Sequence, residues 1–145
     1  MTASKSFDRV AGSYDAMRGG LERGRQSAAA LLPCLVSGPV VEVGVGTGAV
    51  AAGLAELGRS VAGLDIAPKM LLQARQRLAD RIACADALAL PLAGGSVANL
   101  VYVHVLHLVG GMDAALGEAA RVLRPGGRLV AVHGAPVADP DELVA

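Results

Sequence analysis

The stretch Val40-Val41-Glu42-Val43-Gly44-Val45-Gly46-Thr47-Gly48 constrains the fold more than any other part of the chain. A short β-branched run broken by one carboxylate reads as a strand covered on both faces. Gly44, Gly46 and Gly48 remove Cβ atoms where the backbone must turn sharply, and they let a ligand lie against the main chain. The alanine-rich stretch from Ala49 reads as a helix whose first amides lack intrahelical partners and point at whatever occupies the turn. Strand, glycine turn and helix start together predict a cradle for a nucleotide-type cofactor.

The rest of the chain repeats the alternation. Residues 6–18 predict a helix with Phe7, Val10, Ala11, Tyr14 and Met17 on one face. A second helix spans Leu21 to Leu32 and stops at Pro33, and Ser37-Gly38-Pro39 turns the chain into the first strand. Beyond the glycine turn come a helix over Val50–Leu57, a strand over Ser60–Leu64 ending at Asp65, and a helix from Pro68. That last helix buries Met70, Leu71, Ala74 and Leu78. A short strand, Ile82–Ala85, ends at Asp86, and a loop over Leu88–Gly95 follows. Val97–Val105 is strand, Met112–Leu123 helix, Arg124–Gly127 turn and Arg128–His133 a fifth strand. Strands alternating with helices imply parallel βαβ units, hence an α/β, Rossmann-like, doubly wound sheet with helices on both faces. The chain reads as one domain: a helical cap over 1–36, a cofactor-binding core over 37–133 and a tail over 134–145. Ligands of such sheets bind beyond the carboxyl ends of the strands. The glycine turn, Asp65, Asp86 and the His104–His107 region all fall on that rim.

Composition narrows the partners. Lysine and arginine balance aspartate and glutamate at 13 each, so there is no electrostatic footprint for nucleic acid or anionic lipid. The aromatics are Phe7, Tyr14 and Tyr102, too few for a base-stacking platform. Val97–Val109 is too short to span a bilayer, and no apolar leader stands at the N-terminus. Cys34 and Cys84 have neither metal nor redox spacing and read as small core residues in a reducing cytoplasm. No metal-ligand cluster is evident.

Two cofactors compete for the turn. Gly44-Val45-Gly46-Thr47-Gly48-Ala49 satisfies a loose dinucleotide fingerprint, and Asp65 lies at a suitable distance to hold a ribose hydroxyl. Against that, Glu42 places a carboxylate near the end of the central strand, where a pyrophosphate is repelled and a cationic ligand favoured. Asp86 adds an acceptor for an exocyclic amine.

The segments VVEVGVGTG (40–48), GLDIAPKML (63–71), CADALALPLAGGSVANLVYVHVLHLV (84–109) and RVLRPGGRLV (121–130), in this order and spacing, resemble the class I S-adenosylmethionine-dependent methyltransferases, particularly the small-molecule branch. The resemblance implies the strand order 3-2-1-4-5 and S-adenosylmethionine as cofactor. It implies that Gly44, Gly46 and Gly48 form the loop under the methionine moiety, with Glu42 polarising the loop end near the ammonium. Asp65 would bind the ribose hydroxyls, Ile66 and Met70 the adenine face, Asp86 the adenine amine, and the Ala87 amide a ring nitrogen. Tyr14 resembles the tyrosine of an N-terminal helix that closes over the cofactor. Helix caps for Asp65 and Asp86, and simple packing for Tyr14, are the competing readings.

Methyl transfer from a sulfonium to a small-molecule acceptor asks mainly for alignment, and for a base only when the acceptor must lose a proton. His104 and His107 follow strand four. His104 is grouped with the cofactor contacts and His107 is the candidate base; orienting or packing roles are the alternative. Asn99 stands where the family commonly has aspartate, away from the rim. The family sheet has seven strands in the order 3-2-1-4-5-7-6, whereas this chain runs through five. That leaves strand five as an apolar edge open to a homodimer or another partner. A non-catalytic binding module and an NAD(P)-dependent oxidoreductase are the alternative functions.

Overall fold

The computed structural model describes residues 3–13 and 19–133. Its elements are α1 (Ala3–Val10), α2 (Gly20–Leu31), β1 (Val40–Val43), α3 (Ala49–Glu56), β2 (Val61–Asp65), α4 (Pro68–Leu78), β3 (Ile82–Cys84), β4 (Val97–Val103), α5 (Met112–Val122) and β5 (Leu123–Val132). Single 3-10 turns follow α2 at Leu32–Cys34 and β4 at Leu106–Leu108. The first helix ends at Val10, short of the expected 6–18 span. Tyr14 and the 134–145 tail lie outside the described residues.

All five strands pair in parallel, in the order β3-β2-β1-β4-β5. Because successive side chains of a strand point to opposite faces, the central strands feed two cores. Val40, Val61 and Val101 pack with Ala28, Leu31, Leu54, Leu71 and Leu78 from α2, α3 and α4. Val43, Leu64, Leu100 and Tyr102 pack with Ala119 and Val122 of α5 on the other face. No helix bridges β3 and β4. The crossover over residues 85–96 lies against the α5 face by Leu90 and Leu92. Glu118 of α5 accepts from the Leu90 amide at 2.8 Å, and Arg121 donates to the Leu90 and Leu92 carbonyls. The Arg121 guanidinium, bonded to both Glu118 oxygens, and then the Leu90 amide hold the Glu118 carboxyl down, to about 2.

β5 begins earlier than expected. Leu123 pairs with Val97 and Arg128 with Asn99, so Arg124–Gly127 bulges out between them. Gly126 takes φ +77 there, and a Cβ on Gly127 would stand 2.9 Å from the Arg124 carbonyl. The expected turn is present, but as a bulge inside a strand. The cysteines depart from expectation: both are exposed and unpaired rather than core residues. Cys34 closes a surface 3-10 turn, and Cys84 ends the edge strand β3, where Ala83 and Cys84 are both exposed.

At the end of the sheet opposite the carboxyl rim, Asn99 is fully buried. Its Oδ1 accepts from the Val36 amide at 2.8 Å, and its Nδ2 donates to the carbonyls of Val36 (2.9 Å) and Pro39 (3.2 Å). An amide can do both at once; a carboxylate can only accept. Arg59 also donates to the Val36 and Gly38 carbonyls, at 2.6 and 2.8 Å. Asn99→Asp turns a donor into an acceptor facing carbonyl oxygens. It is expected to cost about 2–3 kcal/mol of stability, read by urea denaturation, while leaving ligand binding at the far rim unchanged.

Candidate functional site

The site starts from the loop after β1. The Gly44 and Val45 amides both donate to the Leu64 carbonyl, at 2.7 and 2.9 Å, and the Gly48 amide returns to the Val45 carbonyl at 2.9 Å. The Val45 side chain seats in the space Gly63 leaves, since a Cβ at 63 would stand 2.6 Å from it. The three loop glycines take φ +75, +57 and +82, a region costly for other residues. Their surroundings differ. A Cβ on Gly44 would overlap the Val105 side chain, and one on Gly48 would rest 3.4 Å from Ala74 and Leu78. At Gly46 a Cβ would meet nothing within 4 Å. Gly44 and Gly46 line a cavity of ≈ 290 Å³, whereas Gly48 faces α4 and starts α3. From α4, Arg77 donates to the Thr47 carbonyl and hydroxyl, at 3.0 and 3.2 Å, and braces the loop from behind.

Asp65 ends β2 against that loop. Its Oδ2 accepts from the Gly46 amide and its Oδ1 from the Ala67 amide, both at 2.8 Å. Burial pushes its pKa up, while the amides of Ala67, Gly46 and Ile66 favour the charged form and offset part of that rise. Glu42 is a different case. It lies on the opposite face of β1 from Val43, is 2% exposed, and is not among the cavity-lining residues. The Ala51 amide, in the first turn of α3, donates to it, but Oε1 is buried without a partner. Burial first, and then Asp65, raise its pKa well above the ordinary value. Glu42 therefore stands behind the glycine loop as an acid held toward its neutral form.

The end of β3 supplies the opposite wall. Asp86 accepts from the Leu88 amide through Oδ1 at 2.9 Å and lines the cavity beside Ala85, Ala87 and Leu88. Ile66 and Met70 complete the lower wall; Met70 is 1% exposed and Ile66 43%. The segment after β4 contributes Val105, Leu108, Val109 and Gly110, and α1 contributes Phe7. Strand ends one to four thus converge on one cavity, with an apolar wall and two carboxylates.

The histidines do not line it. His104 is exposed, adopts φ +54 and donates its amide to the Val132 carbonyl at 2.9 Å. For a residue other than glycine that conformation costs on the order of 1 kcal/mol, and it redirects the chain after β4. His107 meets His133 edge-to-face, ring centroids 5.2 Å apart. His133 also lines a second, ≈ 240 Å³ cavity with Tyr102, Leu106 and Met112. There the Tyr102 hydroxyl is buried without a partner, and burial followed by Glu118 pushes its pKa up to about 12. The segment 105–110 was visible as apolar sequence, but its turn away from β4 at His104 is tertiary and has no sequence signal. Among the described residues, no group of His, Cys, Asp and Glu is suited to a metal ion, and no helix is long and apolar enough to cross a membrane.

Three comparisons bear on this geometry. A family profile described as methyltransferase domain matches residues 41–131. The chain is 36% identical over 137 residues to a demethylmenaquinone methyltransferase of Tropheryma whipplei strain Twist, covering 87% of this chain and 56% of that protein. It is 34% identical over 126 residues to a malonyl-[acyl-carrier protein] O-methyltransferase of Pectobacterium atrosepticum, covering 86% and 49%. Among solved structures it resembles a SAM-dependent methyltransferase of Thermotoga maritima, described as a possible histamine N-methyltransferase. There the TM-score is 0.72 and the identity 29%, with 86% of this chain and 58% of that one covered. The chain thus spans about half the length of the curated relatives it matches.

The state of Glu42 has a measurable sign. Below about pH 4.5 the acid is protonated in both folded and unfolded chains. Above it the unfolded chain releases the proton and the folded chain keeps it. Glu42 therefore erodes stability as pH rises toward its raised folded value, by up to about 1.4 kcal/mol per pH unit. Glu42→Gln keeps an acceptor for the Ala51 amide and removes the titration. Its urea midpoint is expected to match wild type at pH 4 and exceed it at pH 7; a pH-independent difference would refute the assignment.

Proposed function

Because this chain belongs to the S-adenosylmethionine-dependent methyltransferase family, we propose that it transfers a methyl group from S-adenosylmethionine to a small-molecule acceptor. The observation that carries the reading is the single cavity uniting the glycine loop, Asp65 and Asp86, within the segment the family profile matches. The donor set fits the cofactor. Two carboxylates offer acceptors for hydroxyls and an amine, and Gly46 leaves open space where a side chain would intrude. The expected oxidoreductase alternative loses ground to the family assignment.

When bound, S-adenosylmethionine supplies a methyl group already activated by its sulfonium. The chain's own share is to bind, orient and exclude water. In this reading the Asp65 oxygens, already held by backbone amides, use their remaining lone pairs for the ribose hydroxyls. Asp86 accepts the adenine amine and the Ala87 amide faces a ring nitrogen, while Ile66, Met70 and Leu88 give the base an apolar bed. Gly44 and Gly46 keep the methionine end against main chain. Gly48 acts one step back, by starting α3. Glu42 acts from behind the loop, where an approaching ammonium would favour its charged form. Tyr14 stays in the proposal as a cofactor contact from the N-terminal segment. His104 and His107 lie outside the cavity lining, so His107, packed against His133, serves as base in this proposal only for an acceptor that extends beyond the cofactor cavity.

The relatives are named for different methyl acceptors, a demethylmenaquinone and a malonyl-[acyl-carrier protein] among them. A small-molecule acceptor and a cytoplasmic setting are therefore part of the proposal. The exposed free thiols of Cys34 and Cys84 suit a reducing compartment. A second reading rests on β5, which among the described residues pairs with β4 alone, on one edge of the sheet. That edge would accept a strand from a second copy or from further polypeptide, making the domain an interaction module. The cap, core and tail division of the chain belongs to the same proposal.

Thermal denaturation with S-adenosylhomocysteine, NAD or neither separates these functions. The expected result is a rise in Tm with S-adenosylhomocysteine alone, since a ligand at 100 times its Kd adds about 2.7 kcal/mol. Asp86→Ala should weaken the ligand by about tenfold, the cost of one hydrogen bond to a buried partner, with little change in the unliganded Tm. No shift with either ligand overturns the enzyme reading. A shift without turnover across a panel of acceptors favours the module.

A further inference from the structure

The start of α4 lacks a local cap. Ala67 occupies the N-cap position with no side-chain acceptor, and Pro68 has no amide to satisfy. The first orphan donor of the helix is therefore the Lys69 amide. It is taken by Asp8, from α1 and 61 residues away, through Oδ1 at 2.9 Å. Phe7 and Val10 of the same short helix, with Ala11 just beyond its end, pack against Ala67 and Met70, and Phe7 forms part of the cavity wall. An eight-residue helix is marginal alone in water, so tertiary contacts decide where α1 sits.

We propose that Asp8 is a positioning residue: by capping α4 across the mouth of the cavity it latches α1 in place and slows the release of whatever the cavity holds. The inference rests on the reading above only in naming an S-adenosyl compound as that occupant. The geometry couples two things that are separable elsewhere. In most helices the cap belongs to the same segment as the helix and its loss merely frays the end. Here the acceptor belongs to the covering element, so losing the cap also frees the cover. Phe7 then keeps its apolar contacts but loses the directional bond that fixes α1 along α4.

The test uses Asp8→Ala, Asp8→Asn, and Asp8→Ala combined with Ala67→Ser, which restores a cap to α4 from its own segment without tying down α1. Amide hydrogen exchange on the unliganded full chain reads the latch directly. Exchange over residues 3–10 should quicken by about 5- to 10-fold in Asp8→Ala, and the Ala67→Ser addition should leave it fast while recovering any lost Tm. Release of S-adenosylhomocysteine, followed by displacement in a stopped-flow instrument, should accelerate by a similar factor. KM for the methyl donor should rise more than kcat changes. Asp8→Asn, which keeps Oδ1 as an acceptor, should restore part of both rates. Unchanged exchange in Asp8→Ala, or full recovery of slow exchange by Ala67→Ser, overturns the latch. Failure of the wild-type chain to bind S-adenosylhomocysteine overturns the proposed function instead, and the exchange measurement still decides for or against the latch.

Discussion

The glycine loop keeps its place because a single carboxylate ties it to the next βα unit. Asp65 takes the Gly46 amide with one oxygen and the Ala67 amide with the other. The first bond fixes the turn after β1; the second fixes the turn after β2. Burial works against the charge this needs, and the surrounding amides restore part of it. Remove that carboxylate and two neighbouring turns lose their common anchor, and with it the floor of the cavity. The rest of the loop follows from fit: Val45 occupies the notch at Gly63, Gly44 admits Val105, and Gly48 admits α4.

Much of this was legible in the order of residues. A β-branched run into Gly44-Val45-Gly46-Thr47-Gly48 has few structural solutions, and acids placed after apolar runs, at Asp65 and Asp86, mark strand ends that a parallel sheet must bring to one rim. What was not legible depends on which face or neighbour a side chain meets. Glu42 looked like a ligand group because its position along β1 is right. Its side chain is buried behind the glycine loop instead of in the cavity lining, where the Ala51 amide donates to it. Cys34 and Cys84 looked like core because of their residue type; an edge strand and a surface turn leave them exposed. His107 followed a strand toward the rim, but the left-handed backbone of His104 swings the chain so that Val105 and Leu108–Gly110 meet the cavity while His107 meets His133. Asn99 was read as a local substitution of no consequence to the site. It is indeed remote, yet its amide is the polar centre of the opposite end of the sheet.

The two ends of the sheet handle polarity by different means. At the carboxyl end, backbone amides from several turns are collected on carboxylates, leaving lone pairs for a visitor. At the amino end, Asn99 and Arg59 absorb the carbonyls of residues 36–39. Neither arrangement interferes with the other, because the apolar strand centres lie between them. The crossover over residues 85–96 is held by a third device, the Glu118–Arg121 pair, so Asp86, at the start of that crossover, inherits its place from α5.

The amide of Asn99 reaches a partner 63 residues back along the chain. During synthesis, β1 can zip to β2 soon after both emerge, but its other side stays bare until β4 leaves the ribosome, a wait of several seconds at about 5–20 residues per second. The apolar flank of the central strand is thus open to solvent and to chaperones through that interval, and closure of the sheet is a late, long-range event in the birth of the molecule.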